Sequence, residues 1–300
     1  MKLFNRRPQW SIVTSAPKGE AGKQWGDYWF ATDLALALNT EGVDAKVVSR
    51  AGANSEKRNS DDVVVVLRGL RRVIPSNTSA TWMLWVISHP ELVEPGEAAM
   101  YSRTFAASNH WNPGPEIGEF TPLLQATNTS RFIPDMASEK SGVLFVGSTR
   151  GEFRPVVRDA LAAGIPLEVY GVGWEEFLTP DQIAGEFLPN GELPTAYANS
   201  AIVLNDHHRE MAELGFLSNR LFDSVAAGAR VVSDPALGLS DVFGSSVVTY
   251  EGSEELAEIH RNPDAFFPVD SVDAQRIRTE HDFRARARAL IAAAESVRHD

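Results

Sequence analysis

Cysteine is absent from these 300 residues. That gap removes disulfides, thiolate metal sites and cysteine nucleophiles from consideration. Long hydrophobic runs are missing as well. Stretches such as 63–67 (VVVVL) and 82–88 (WMLWVIS) fall far short of the about 20 apolar residues a membrane-spanning helix needs. The start, Met1–Trp10, is polar and lacks the apolar stretch of a signal peptide, so a cytoplasmic protein is the expectation. Positive charge is in the minority, with 28 Lys+Arg against 40 Asp+Glu and a net charge of −12. A protein that grips a phosphate backbone clusters Lys and Arg over its surface, so no nucleic-acid partner is expected. A small basic pocket for a nucleotide is still compatible with this balance. The sequence also has no Gly-x-Ser-x-Gly elbow, no P-loop and no full dinucleotide glycine fingerprint. Hydrolase, kinase and NAD-enzyme readings weaken accordingly.

What is present is an ordinary globular composition, 43% hydrophobic and 23% charged. At about 150 residues per domain, the length suggests two domains, each with a full core. The first half alternates short β-branched runs with helical patterns. Strands are expected at 10–15 (WSIVTS), 44–49 (DAKVVS), 62–67 (DVVVVL), 81–88 (TWMLWVIS) and 104–108 (TFAAS). A helix is expected over 28–39, where Trp29, Phe30, Leu34, Leu36 and Leu38 supply apolar positions. The strands lack the alternation of a half-exposed sheet, which points to parallel strands covered on both faces. Residues 112–140, rich in Pro, Thr, Ser and Asn, read as loop and interdomain linker. The rhythm then restarts, with strands at 142–146, 167–170, 201–204 and 230–233 and helices at 154–163 and 218–227. The pattern predicts an α/β fold of two doubly wound, Rossmann-like domains, 1–135 and 141–268. A terminal helical segment, 269–300, follows, interrupted near His281–Asp282. Its Arg276, Arg278, Arg284, Arg286 and Arg288 read as a solvated face, with contact to anionic lipid as the other option.

Ligands of open α/β sheets bind beyond the carboxyl ends of the strands, where helix N-termini offer free N–H groups. The segment 205–234, NDHHREMAELGFLSNRLFDSVAAGARVVSD, fits that rule best. A strand ends at Leu204, a polar loop follows, and a helix opens at Ser218, a good N-cap, with Asp223 on its second turn. In 142–174, Arg150 and Arg154 lie just past a strand end and can neutralise an anion, a role to which the guanidinium fork is suited. Gly147 permits close backbone approach, and Tyr170 borders the same loop region. In the first half, the loop 18–27 (KGEAGKQWGD) places Gly26 and Asp27 after the first strand, and His89 ends the fourth. Ser108, Asn109 and His110, after the fifth strand, repeat the pattern more weakly. His207 and His208, with Asp206 and Glu210, invite a metal. Adjacent histidines diverge, though, and no His-x3-His spacing accompanies them, so no metal is expected.

The run GFLSNRLFDSVAAGARVVSD resembles the donor-site signature of GT-B glycosyltransferases, in particular the CgeB-like and group 1 families. The segment GVLFVGSTRGEFRPVVRDALAAGIPLEVYGVGW is similar to the strand and basic loop that precede it in those families. The resemblance implies a GT-B architecture, with two Rossmann-like domains facing across a cleft and a C-terminal helix crossing back. It implies transfer of a sugar from a nucleotide-diphosphate sugar to a hydroxyl acceptor, metal-independent, retaining and without a further cofactor. Ser218 and Asn219 would take the diphosphate, Asp223 the ribose, and Arg150 and Arg154 the leaving-group charge. Gly147, Ser148, Tyr170, Gly215, Phe216 and Leu217 would belong to the donor site, the polar loop with His208 would contact the sugar, Glu210 or Glu213 reaching its hydroxyls, and backbone near Phe187 and Leu188 would read the base. His89 and the Gly26–Asp27 loop would line the reacting cleft, with Asp27 or His89 as base if the enzyme inverts. Two departures stand out: the helix acid is Asp rather than Glu, and Gly215 stands where the first acid of the usual E-x7-E motif would be. A non-catalytic nucleotide-sugar binding protein, a sugar-nucleotide epimerase and a DNA glucosyltransferase are the alternatives.

Overall fold

The computed structural model describes residues 6–76, 79–135, 139–268 and 272–297. They form two compact units. One takes in the chain through Leu124, the short stretch Leu214–Phe216 and the segment from Phe283; the other takes in Gln125–Glu213 and Leu217–Asp282.

The first unit opens with β1 (Gln9–Thr14), α1 (Glu20–Lys23), α2 (Gly26–Thr40) and β2 (Asp44–Ser49). It continues with β3 (Val63–Arg68), β4 (Thr81–Val86), β5 (Arg103–Ala106) and the two-residue β6 (Thr121–Pro122). The strands run in the order β2-β1-β3-β4-β5-β6 and all pair in parallel. Every position of β3 is buried, which is why its sequence shows no alternation. The apolar face of α2 buries Phe30, Leu34 and Leu38, and the Phe30 ring meets Trp85 edge-on at 5.3 Å. Each such side chain contributes about 2 kcal/mol of burial. Order reverses between β1 and β3, so the crevice of this sheet lies beyond Thr14 and Arg68.

The second unit holds β7 (Ser141–Val146), α3 (Pro155–Ala162), β8 (Leu167–Tyr170), β9 (Ile183–Gly185), α4 (Leu193–Asn199) and β10 (Ser200–Asn205). Then come α5 (Arg209–Glu213), α6 (Asn219–Ala226), β11 (Val231–Ser233), α7 (Leu239–Phe243), β12 (Val247–Thr249), α8 (Ser253–Arg261) and α9 (Val272–Glu280). The order β12-β11-β10-β7-β8-β9, again all parallel, puts the switch point between β7 and β10. Phe145, Trp174, Val156 and Ile202 anchor its core. The chain ends in α10 (Phe283–Val297), which packs on α2 of the first unit through Phe283 and Phe30, ring centroids 4.8 Å apart.

Three expectations need correction. The stretch read as structureless linker, 112–140, includes β6 and a buried run from Leu123 to Asn128. Residues from Gln125 join the second unit because Thr127 N–H donates to His281 O (2.9 Å) and Arg278 donates to Phe132 O (2.6 Å). The expected start of the terminal segment at residue 269 lies outside the described residues. The polar loop after β10 contains a helix, α5, and 183–185, read as loop, pairs as the edge strand β9. Finally, the terminal arginines divide: Arg284 and Arg288 are exposed, as expected, whereas Arg276, Arg278 and Arg286 are turned inward. Arg278 also bonds Ala226 O (2.7 Å), Arg276 bonds Val242 O (2.7 Å), Arg286 bonds Leu124 O (2.6 Å) and Arg288 pairs with Glu41 (3.0 Å). Arg276, Arg278 and Arg286 satisfy helix-end and loop carbonyls that would otherwise be orphaned.

Candidate active site

In the second unit, β7 and β10 end side by side at Val146 and Asn205, and the residues just beyond them carry the charge. Gly147 is pinned from two sides: its N–H donates to Tyr170 O (2.7 Å) and its carbonyl accepts from Trp174 Nε1 (2.8 Å). A Cβ at Gly147 would stand 2.9 Å from Arg220 Nη2 and 3.3 Å from Arg154 Nη1, so glycine leaves room for both guanidinium groups at this strand end. The Phe145 ring lies within 5.0 Å of the Arg154 guanidinium carbon and 5.1 Å of that of Arg220.

The three arginines differ in their partners. Arg154, 1% exposed, is held by an ion pair with Asp206 and by Ser148 O (Nε to Asp206 Oδ2 2.7 Å, Nη1 to Ser148 O 2.9 Å). Burial and then the like charges of Arg150 and Arg220 pull its proton affinity down, opposed by Asp234 and Glu152. This corrects the expectation that Arg154 itself meets the leaving group: its fork is spent on Asp206 because it sits in the core at the start of α3. Arg150 stands exposed in a turn at φ +60°, and no carboxylate bonds it among the described residues. Partial desolvation, then Arg220, pulls it down to about 10, still protonated at neutral pH. Arg220, on the first turn of α6, donates to Asn205 Oδ1 (3.0 Å) and to the Tyr197 hydroxyl. Burial lowers its proton affinity, opposed by Tyr197 and Asp234.

The start of α6 is set by a histidine. His207 Nδ1 lies 2.7 Å from Asp234 Oδ1, and Ser218 N–H donates to His207 Nε2 (3.1 Å). These two bonds require the Nδ1–H tautomer, with the ring neutral. Ser218 is the N-cap position of α6, as expected, but its backbone N–H is taken by His207 and its hydroxyl makes no capping bond. Burial pushes the Asp234 carboxyl up, but the hydrogen bonds from the His207 ring and backbone N–H, together with the Ser233 hydroxyl, outweigh it and hold it low. That stabilisation is present above the ordinary carboxylate range and is lost as pH falls through the lowered folded value. Asp234→Asn is expected to cost about 1–3 kcal/mol at pH 7, with a difference from wild type that shrinks toward pH 3 in urea melts.

Other sequence candidates scatter. Asn219 Nδ2 donates to Asp223 Oδ2 (2.7 Å), while its own Oδ1 is buried without a partner. Phe216 and Leu217 are buried to 0% and 1% exposure, and Phe216 packs on Trp111 at 5.4 Å within the first unit, so both serve packing rather than a nucleotide. Gly215 takes φ +73° at the turn between them and α5, which explains a glycine where the family motif has an acid. Tyr170 packs against Gly185 of β9, Leu188 is buried at 9% exposure and Phe187 is 47% exposed. Ser148 is exposed, and His208, half-buried, opens α5 away from the His207 pairing.

In the first unit, Ser15, Asp27, Gly69 and Ser88 converge at the switch point. From the Gly69 Cβ direction, Ser88 Oγ is 3.1 Å away, and Asp27 Oδ2 and Ser15 Oγ are each 3.4 Å away. Ser15 Oγ is buried without a partner. Burial raises the Asp27 carboxyl above its usual value, and the nearby His89 opposes the shift. His89 sits at φ +52°, its Nδ1 2.9 Å from Glu91 Oε1. Gly26 opens α2 with no neighbour within 4 Å of a Cβ, so no steric need fixes it as glycine. Sequence reasoning missed Arg220, Ser15 and the His207–Asp234 pair. Each was in view as an ordinary helix, loop or strand-end residue, with no spacing to mark it.

A family model described as glycosyl transferase-like matches residues 150–292. AviGT4, a glycosyltransferase involved in avilamycin A biosynthesis, is 14% identical over 97% of this chain and 98% of its own, with a TM-score of 0.66. Sucrose-phosphate synthase from Thermosynechococcus elongatus is 12% identical over 98% of this chain and 100% of its own, again at 0.66. The chain has the GT-B fold of these glycosyltransferases. Anabaena HepE, solved with UDP and glucose, is similar over 98% of this chain and 99% of its own at 12% identity and a TM-score of 0.56. No curated protein sequence matches the chain. The matched span begins at Arg150 and includes Arg154, His207, Arg220, Asp223 and Asp234, so the charged cluster lies inside the glycosyltransferase-like region.

Proposed function

We propose that the chain moves a sugar from a nucleoside diphosphate sugar to a hydroxyl acceptor, with no metal and no further cofactor. The observation that carries this reading is the arginine cluster at the β7/β10 switch point. Asp206 answers Arg154, which leaves Arg150 and Arg220 to meet an anion. A diphosphate leaving group gains negative charge as the glycosidic bond breaks, and fixed guanidinium groups stabilise it without the divalent ion used elsewhere. The free Asn219 Oδ1 and the neighbouring Asp223 carboxylate are acceptors, the chemistry a pair of ribose hydroxyls requires. UDP is the first nucleotide to try, since HepE of the same fold holds UDP and glucose. Transfer would take place in the cytoplasm; no helix among the described residues is long and apolar enough to cross a membrane.

Retention of anomeric configuration fits a site whose main burden is leaving-group charge. The acceptor proton then passes to the departing phosphate oxygen, and Asp27 only orients the acceptor. A second reading, inversion with Asp27 as general base, is favoured by the raised proton affinity of that carboxyl. The anomeric configuration of the product, read by NMR, decides between them. Under retention, Asp27→Asn should lower kcat less than about tenfold; under inversion the loss should reach about 100-fold or more. In both cases the variant should be more stable at pH 7. A buried carboxylate whose folded value is raised loses stability as pH climbs from its unfolded to its folded value.

A further inference from the structure

The segments that build the crevice of the first unit also wall a neighbouring cavity. Ser15 and Asp27 face Gly69; Pro17, Lys18 and Gly19 follow the first, and Tyr28 follows the second. These residues, the end of β2 and the short turns over 50–60 enclose about 600 Å³, a volume typical of small-molecule sites. Lys18, Lys46, Lys57 and Arg58 line it, and no Asp or Glu does. In a chain of net charge −12, that is a local reversal of sign. Behind the wall, the buried Asp61 pairs with both Arg58 (3.1 Å) and Lys46 (3.2 Å), so one carboxylate answers two cations. Lys18 and Lys57 have no carboxylate partner among the described residues. Ser49, Ser55 and Tyr28 add hydroxyl groups, and Val47 and Val48 give an apolar patch.

We propose that this cavity holds an anionic group of the acceptor, a phosphomonoester or a carboxylate, so that the acceptor is a small acidic sugar rather than a neutral one. The assignment rests on the transferase reading of the chain. Cations at a concave, part-apolar wall recognise a compact anion on a polar body, and charge is the property that separates it from neutral competitors. Chain adjacency supplies the register: Tyr28 touches the cavity while Asp27, one residue before it, faces the crevice. An anion seated by Lys18 and Lys57 would therefore leave the rest of a sugar-sized acceptor beside Asp27. Of the exposed large apolar side chains of this unit, Leu70, Ile74 and Leu92 lie on other segments and Trp25 alone lies between Gly19 and Tyr28; one such side chain beside the cavity makes no apolar patch, which favours a small molecule over a lipid surface.

The test is calorimetric titration of the full chain with glucose 6-phosphate, glucuronate and glucose. It is repeated on a Lys18→Gln/Lys57→Gln double variant and on Arg150→Gln. The expected result is binding of at least one anionic sugar about tenfold or more tighter than glucose. The double variant should lose that preference while keeping its melting midpoint and its nucleotide affinity, and Arg150→Gln should keep it. Equal binding of glucose and both acidic sugars overturns the proposal. So does a preference lost in Arg150→Gln and retained in the lysine variant, which would seat the anion in the second unit, and so does binding only to phosphatidylglycerol vesicles in a parallel sedimentation. Anionic-sugar binding without any nucleotide binding keeps the cavity and removes the transferase reading; nucleotide binding alone does the reverse.

Discussion

Arg220→Met should weaken nucleoside diphosphate binding by about 100-fold while leaving the matching nucleoside, without phosphates, bound as before. The reason is geometric. Arg154 is committed to Asp206, so among the described residues Arg220 is one of two guanidinium groups at the β7/β10 crevice without a bonded carboxylate, and the half-buried one of the two. Desolvated charge acts on an anion more strongly than the same charge in water. The fold should tolerate the change. Methionine keeps the length and can lie along the Phe145 face, and a buried like-charge repulsion with Arg150 and Arg154 disappears. The cost is the lost donor to Asn205 Oδ1 and Tyr197, about 1–2 kcal/mol before that relief. Titration of diphosphate and nucleoside side by side separates a phosphate role from general loosening. Equal loss of both ligands would assign Arg220 to scaffolding.

The second large effect is on stability and reaches the site through backbone. Gly171→Ala would place a Cβ 2.2 Å from Gly147 O and 2.8 Å from Ser148 N, at a φ of +149° that side chains avoid. Flexible side chains can yield to such an intrusion; two backbone segments cannot do so cheaply. The overlap and the strained dihedral together should cost about 3 kcal/mol or more. For a unit of this size that is a fall in Tm of about 6–12 °C. The displaced loop carries Gly147 and Ser148, so nucleotide binding should fall as well, and calorimetry on the folded fraction would show it. A variant with wild-type Tm would mean that the two loops do not meet as described.

The two sheets could be read in the sequence because both are parallel and covered on both faces, so their strands are continuous apolar runs such as 63–67, bounded by polar turns. Short edge elements escaped: β6 has two residues and β9 has three, too few to show any period. The segment 125–135 looked like a linker because its composition is polar, yet its Thr127 N–H donates to the His281 carbonyl and its Phe132 carbonyl accepts from the Arg278 guanidinium. The site was half legible. Strand ends and the helix at Ser218 located the region, since position along a doubly wound sheet is set by topology. The division of labour among the arginines was not, because it depends on which guanidinium the buried Asp206 captures. A pairing across the 52 positions from Arg154 to Asp206 leaves no spacing signal. Likewise, Ser218 looked like a free cap until His207 was seen to occupy its N–H.

The most direct measurement is calorimetric titration of the full chain with UDP, GDP, TDP, CDP and ADP, repeated on Arg150→Gln. The account expects one diphosphate to bind clearly, at least about tenfold more weakly in the variant, with an affinity that falls as salt is raised. No binding of any of the five at millimolar concentration, or equal binding by wild type and variant, would contradict it: the chain would then share the glycosyltransferase fold without a donor site at the β7/β10 crevice.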